Sequence, residues 1–442
     1  MWTREYGPRI VAARHGSTRG QDQRSVERAA GRHGLSGLKA EAGLLHVLGI
    51  SKPLIARMAQ RAVANGTFIE AELLASGAIE EEAYFAGLAR MYGLPFMAEI
   101  DPALLLDHAH ADTQLAEPRM VRLHHKDRPP VVAVAPQILH MEGLGKRFGR
   151  HGTGTGSLVV TTPSAIRRAM WKVGETRRVG DAVRGLFDSV QALSARLVVT
   201  GDQGFVAGAG LCLISLLLIF APMFAIVLAH MMLSFFHTAA LFLRIAAVSH
   251  GQRHPRLEGS LESPVDILPV YTVMVALYRE AAVVPQLIAA LDALDWPRSL
   301  LDVKLFCEAD DHETLKAIRQ ARPGPHIEVV EVPAMAPRTK PKALTYALAG
   351  ARGEFLTIYD AEDRPHPQQL REAFHAFCLG PAELACLQAP LVIGNAGESW
   401  ISAIFALEYS ALFRRLLPAL GFYRLPLPLG GTSNHFRTAL LK

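Results

Sequence analysis

Between Phe205 and Leu243 the chain carries no Asp, Glu, Lys or Arg over 39 consecutive residues. One α-helix of that length would be roughly 58 Å long, about twice the hydrocarbon core of a bilayer. Two crossings joined by a tight turn fit better. Pro222, near the middle, is the natural break, because it removes a helical N–H and crowds the preceding turn. A transmembrane helical hairpin over 205–248 is therefore expected. Arg177, Arg178, Arg184 and Arg196 precede the run, and Arg244, Arg253 and Arg256 follow it. Positive residues on both sides place both flanks in the cytosol, which requires an even number of crossings. The expected location is a bacterial inner membrane, multi-pass, with the lipid bilayer as a partner. His230 and His237 lie seven residues apart and share a helix face. They read more simply as neutral histidines at the bundle or interface than as a proton relay.

At 442 residues the chain is too long for one ordinary domain. Half of it is hydrophobic and the mean hydropathy is +0.19, which agrees with a membrane segment. Residues 1–40 hold seven Arg and one Lys against three acids. With little apolar periodicity, residues 1–45 read as a disordered basic tail. The net charge of +5 is mild, and without a concentrated basic face a nucleic-acid partner is not expected. Cys212, Cys307, Cys378 and Cys386 have no zinc-ligand spacing and read as reduced thiols. No N-terminal signal peptide is read.

Residues 46–175 read as a small α/β domain. HVLGISKPLIARMAQRAVANG and IEEEAYFAGLARMYG place apolar residues at helical spacing, with Gly66, Gly77 and Gly93 as stops and Pro95 after a helix end. PPVVAVAP and SLVVTTP read as strands. DHAHAD (Asp107, His108, His110, Asp112) has alternate spacing suited to a strand, but lacks the second cluster that a metal site needs. GLGKRFG and GTGTGS are Gly-rich without the phosphate-loop spacing, so no ATPase core is expected.

From residue 265 strands and helices alternate. DILPVYTVMVALYRE, DVKLFCEADD, IEVVEVP and EFLTIYDAED read as strands. VVPQLIAALDALDW, HETLKAIRQA and KALTYALAGA read as the intervening helices. Such alternation implies an α/β domain with a parallel sheet and helices on both faces, whose ligands bind beyond the carboxyl ends of the strands. Two acid clusters fall at that edge, Glu308–Asp311 and Asp360–Asp363. One or two carboxylates there can hold a hard divalent cation that bridges a diphosphate and stabilises it as a leaving group.

These motifs, in order from 265 to 442, resemble the family 2 glycosyltransferases, especially the membrane-bound, cellulose-synthase-like branch. The resemblance implies a nucleotide-diphospho-sugar transferase domain of the GT-A type. It would take a UDP-sugar and a glycan acceptor, with Mg2+ or Mn2+ as cofactor, and would invert the sugar by in-line attack of a deprotonated hydroxyl. VALYRE resembles the first-strand motif beside the nucleobase and gives Tyr278 and Glu280 donor-binding roles. Glu308 and Asp310 stand at the second-strand acid, with either one in the aligned place. KPKALTYAL resembles the lysine motif that faces the diphosphate, through Lys340, with Thr345 where an Asn is usual. YDAEDRPHP resembles the Asp-x-Asp motif, so Asp360 binds donor and metal, with Glu362 and Asp363 as further metal ligands. LGGTSNHFRT resembles the acceptor-side segment. The family's general base belongs to a Thr-Glu-Asp motif expected beyond Lys442, so no catalytic base is assigned and weak or no transfer is expected of these 442 residues.

AELLASGAIEEEAYFAGLARMYGLPF resembles the N-terminal domain of type II secretion ATPases. Some members bind cyclic di-GMP through an Arg-Leu-Gly start, which would make that nucleotide a further partner. Ile69, Glu70 and Ala71 stand at those positions here, while Leu74, Gly77 and Leu88 fit the packing half of the pattern. The alternative to a polysaccharide-building transferase is a catalytically silent, membrane-tethered regulatory or nucleotide-binding protein.

Overall fold

The computed structural model describes residues 11–14, 35–141, 158–194, 196, 198–250 and 267–442. GLGKRFG, GTGTGS, Arg253, Arg256 and most of the basic tail lie outside them. The chain divides into two units, one of residues 12–183, 260–388 and 430–442, the other of residues 1–11, 184–259 and 389–429.

In the first unit, strand β1 (Val11–Arg14) is followed by helices α1 (Leu35–Val47), α2 (Lys52–Asn65), α3 (Ile69–Ala75) and α4 (Glu81–Met91). Helix α1 starts inside the stretch expected to be tail, because Leu45 has an apolar core to enter. Gly66 ends α2 in the left-handed region (φ 65°), where a side chain would be strained. Strands β2 (Met120–Leu123), β3 (Val131–Val134) and β4 (Leu158–Val160) form a small sheet, β2–β3 antiparallel and β3–β4 parallel. Helix α5 (Pro163–Val173) has Pro163 in its first turn and is capped by the Thr162 hydroxyl, which accepts from the Ala165 N–H at 3.0 Å. Helix α6 (Glu175–Ser189) follows.

DHAHAD forms a 3-10 turn instead of a strand, and its acids are arginine partners. Arg177 reaches Asp107 and Asp112, each at 2.9 Å, and Arg178 reaches Asp112 at 2.6 Å. Burial alone would raise the Asp112 carboxyl, but the two guanidiniums hold it below its ordinary range. Arg177 and Arg178 are thus engaged by carboxylates within this fold.

The apolar run forms two successive helices, α7 (Gly201–Phe220) and α8 (Pro222–His250), each long and apolar enough to cross a membrane. The break falls where sequence places it, with Pro222 as the first residue of α8. A capping box of Thr200 and Gln203 starts α7. The sides of both helices are exposed, His230 and His237 included.

The large sheet comprises β5 (Tyr271–Leu277), β6 (Leu301–Glu308), β7 (Ile327–Val332), β8 (Phe355–Tyr359), β9 (Leu384–Gln388) and β10 (Asn434–Arg437). Its order is β1-β9-β10-β8-β5-β6-β7. Helices α9 (Val284–Asp292), α10 (His312–Ala321), α11 (Lys340–Leu348) and α12 (Gln369–Leu379) alternate with the strands. Strands β8, β5, β6 and β7 are parallel, as expected for buried, continuous apolar runs. The sheet is mixed, not wholly parallel, because β10 inserts antiparallel between β8 and β9. Within β6, Asp302 and Lys304 are buried charges on one face. Lys304 lies 3.1 Å from Asp302 and 2.5 Å from Glu328, and Arg352 reaches Asp302 at 2.8 Å. Burial would raise the Asp302 carboxyl, but Arg352 and Lys304 hold it well below its ordinary value.

Among the described residues, two apolar clusters lie in the first unit. One is drawn from residues 38–160, around Leu45, Leu73, Leu88 and Val160, and the other runs from Ile166, Met170 and Trp171 to Phe306, Val330 and Tyr346.

In the second unit, helix α13 (Trp400–Ala411) runs through a π-helical turn, Leu412–Leu416, into α14 (Leu417–Phe422). The π turn and α14 pack against α8. Trp400, Ile401, Ile404, Phe405 and Leu407 of α13 are exposed.

Candidate functional site

The register pairs Leu277 with Cys307 and Val275 with Tyr359, so β5, β6 and β8 end together. Tyr278, the 308–311 turn and Asp360 open on that one edge.

Three cations meet the acids of this edge, at alternate positions of the chain. Arg338 reaches Asp310 at 2.5 Å, and its guanidinium also donates to the Tyr278 hydroxyl at 3.4 Å. Lys340 donates to Asp360 and, at 2.8 Å, to the carbonyl oxygen of Gly431. Lys342 lies 2.6 Å from Glu308 and donates to the Met335 carbonyl at 2.8 Å. Sequence reading singled out Lys340 and passed over Arg338 and Lys342. The signal was there, in the Arg-x-Lys-x-Lys alternation that enters α11.

The pairs differ in exposure, and this sorts their uses. Asp310 and Asp360 each keep 40% of their side-chain surface, whereas Glu308 keeps 5% and Lys342 1%. The second oxygen of Glu308, Oε2, is buried with no hydrogen-bond partner among the described residues. An acceptor in that state is costly unless a donor reaches it. Glu280 is fixed by its backbone, whose N–H donates to Thr314 at 3.0 Å. Arg279 takes a left-handed conformation (φ 59°) between Tyr278 and Glu280, and its N–H donates to Asp311 at 2.5 Å. Asp311 also caps α10 through the Thr314 N–H at 3.2 Å. Burial raises this carboxyl, but these N–H donors hold it below its ordinary range. Asp311 therefore shapes the turn that aims Tyr278 and is not itself offered to a ligand.

The three acids expected as metal ligands do not converge. Asp363 turns inward, with Oδ2 accepting from the Asp360 N–H at 2.8 Å and from the Thr432 hydroxyl. Glu362 is exposed in the turn between them. Among the described residues no group of three or more His, Cys, Asp or Glu is placed to hold a metal ion. The donor chemistry still suits Mg2+ or Mn2+. Such ions take one or two carboxylates and complete their octahedron from phosphate oxygens and water, and Asp360 is an exposed carboxylate at a strand tip.

Behind the edge, His435 of β10 is fully buried, with Nδ1 2.7 Å from the Tyr271 hydroxyl. Burial pushes it down to about 3, so the ring is neutral. It locks β10 into the sheet and places Gly431 and Thr432 beside Lys340 and Asp363.

Residues 269–442 match the family model described as glycosyltransferase like family 2. The match supports an enzyme that transfers sugars. No curated protein matches the chain. Among solved structures, the chain is similar to a mannosyltransferase from Pyrobaculum calidifontis in complex with GDP-Man and Mn2+. The identity is 25% over 34% of this chain and 42% of that one, with a TM-score of 0.29. It is also similar to glucosyl-3-phosphoglycerate synthase from Mycobacterium tuberculosis in complex with Mn2+, UDP and phosphoglyceric acid, at 17% identity over 39% and 57% of the two chains (TM-score 0.27). A third is S. aureus TarS in complex with UDP-GlcNAc, at 21% identity over 24% and 30% (TM-score 0.22). The chain spans less than two thirds of the length of each.

The N-terminal positions compared with a cyclic di-GMP motif are built into the core. Ile69 is fully buried, and Glu70, also buried, accepts from the Ile138 N–H at 3.1 Å. No Arg, Lys or His stands at positions 69–71 themselves.

Proposed function

We propose that the edge formed by Tyr278, Glu308, Asp310, Lys340 and Asp360 binds a UDP-sugar, and that the domain, of the GT-A type, transfers the sugar to a glycan acceptor at a membrane. The observation that carries this reading is the Lys340 ammonium held between Asp360 and the Gly431 carbonyl, at the tip where three parallel strands end. A diphosphate would replace the carboxylate as partner of the Lys340 ammonium, leaving Asp360 as the carboxylate that would hold Mg2+ or Mn2+. Such an ion would supply positive charge to the departing nucleotide diphosphate. Tyr278 offers a face to the uracil, and the orphaned Glu308 Oε2 can accept from its imide N–H. Glu280 lies beside Tyr278 at the same edge, while Glu362 and Asp363 belong to the Asp360 turn. Inversion at the sugar follows if the acceptor hydroxyl attacks in line.

Helices α7 and α8 are proposed as an inner-membrane hairpin, with lipid covering their exposed apolar sides. The exposed apolar residues of α13, next to the turn that packs on α8, belong in the same proposal as an interfacial layer. Cyclic di-GMP is not part of it, because Ile69 and Glu70 face inward.

The test is UDP binding to the full chain by calorimetry, with and without Mn2+. Metal-dependent binding that is lost in Asp360→Ala and Lys340→Ala supports the reading. Absence of UDP binding by the unaltered chain, with either metal, overturns it.

A further inference from the structure

Helix α11 carries Lys340 and Lys342 in its first turn, and its last turn is gripped by the N-terminal part of the same unit. The Tyr346 ring stacks on Trp171 of α5, with 5.3 Å between centroids and 29° between planes. The Arg178 guanidinium lies 5.1 Å from the Trp171 ring and 5.7 Å from the Tyr346 ring. Arg178 is nearly fully buried and immobilised by Asp112 and by the carbonyl oxygens of Met170 and Trp171, at 2.7 and 2.6 Å. Trp171 is fixed in turn, because its Nε1–H donates to Glu328 at 2.9 Å, and Glu328 is anchored by Lys304. Gly350, just beyond α11, passes so close that a Cβ there would stand 2.6 Å from the Trp171 ring.

We propose that Trp171 and Arg178 are positioning residues for Lys340, and this rests on the donor-site reading above. The ammonium of Lys340 has its partners, Asp360 and Gly431, on the segments that follow β8 and precede β10, whereas the helix that carries it is clamped by α5 and α6. Six residues of rigid helix, roughly 9 Å, separate Lys340 from Tyr346. A change in the Trp171 contact therefore shifts the cation against fixed acceptors. Close-packed aromatic contacts transmit such shifts because they have little room to absorb them. Helices α5 and α6 thereby act on diphosphate binding through α11.

The experiment titrates the full chain with UDP and with UMP, which lacks the second phosphate, by calorimetry at fixed Mn2+. The variants are Trp171→Ala, Trp171→Phe and Gly350→Ala. Trp171→Ala and Gly350→Ala are expected to weaken UDP about tenfold, a large and easily resolved change in affinity. UMP affinity and the fraction of binding-competent protein stay unchanged, and Trp171→Phe recovers most of the loss. A fall in competent fraction with unchanged affinity would mean that the contact serves only folding. Equal weakening of both nucleotides, or none, would equally overturn the proposal. Failure of the unaltered chain to bind UDP removes the donor site itself, and is seen before any variant is made.

Discussion

Lys342 and Glu308 form an ion pair at 2.6 Å from which water is almost wholly withdrawn, two residues away from the exposed pair of Lys340 and Asp360. The two lysines look alike in sequence and differ in what their removal does. Lys342→Met strands the Glu308 carboxylate in the interior and is expected to cost about 3–5 kcal/mol. Thermal unfolding checks this, and the double variant Lys342→Met/Glu308→Leu should recover most of the loss. A Lys342→Met chain as stable as the parent would contradict the pairing.

Lys340→Ala should behave in the opposite way. Its partner Asp360 is partly solvated, so stability changes by about 1 kcal/mol or less, while UDP affinity falls by about tenfold or more. Unfolding and calorimetry on one preparation separate the two effects. A large loss of stability with unchanged affinity would move Lys340 out of the site.

Glu70 gives the N-terminal part a pH dependence. Burial pushes its carboxyl up to about 7, with the Ile138 N–H working against this and nearby Glu41 adding to it. Below its ordinary value of 4.5 the group is protonated both folded and unfolded. Above that the unfolded chain loses the proton first, so the stability contributed by neutral Glu70 is lost as pH rises toward 7. Glu70→Gln should therefore gain on the parent chain between pH 5 and pH 8, by up to roughly 3 kcal/mol. Equal differences at both pH values would show that Glu70 is charged when folded.

Asp112→Asn tests the reading of DHAHAD as an arginine clamp. Arg178 is buried, and the substitution takes away the carboxylate it meets, Asp112 Oδ1. A loss of about 2–4 kcal/mol is expected, and Zn2+ should not raise the unfolding temperature of the unaltered chain through these residues. A metal-dependent rise that disappears in His108→Ala would point to a metal site there and contradict the clamp.

Much of this fold was legible because its signals are local. The uncharged run, the break at Pro222 and the strands ending in acids each follow from a short stretch of side chains. What stayed hidden depends on partners far apart in sequence. Nothing near Asp112 says that Arg177 and Arg178 will meet it, and so the acids read as a cluster short of a metal site and the arginines as flanks of the apolar run. Nothing near Glu308 says that Lys342 covers it. Asp302 and Lys304 interrupt an apolar strand for a reason found only in Glu328 and Arg352. The antiparallel β10 was missed because NHFR is too short to show its direction, and its place is set by pairing with β8 and β9. Likewise Trp171 reads as an ordinary core residue until its ring is seen against Tyr346.

The insertion of β10 between β8 and β9 also sets the order in which the molecule can be made. Strands β8 and β9 leave the ribosome well before residues 434–437, with α13 and α14 emerging in between. Throughout that interval the two strands share no partner, and each presents an open edge able to recruit another chain. Strand β10 closes both edges at once and brings Gly431 to Lys340. That corner of the sheet edge can therefore form only once residues 434–437 have been made, and a ribosome that stalls before Asn434 releases a chain in which β8 and β9 each keep an open edge.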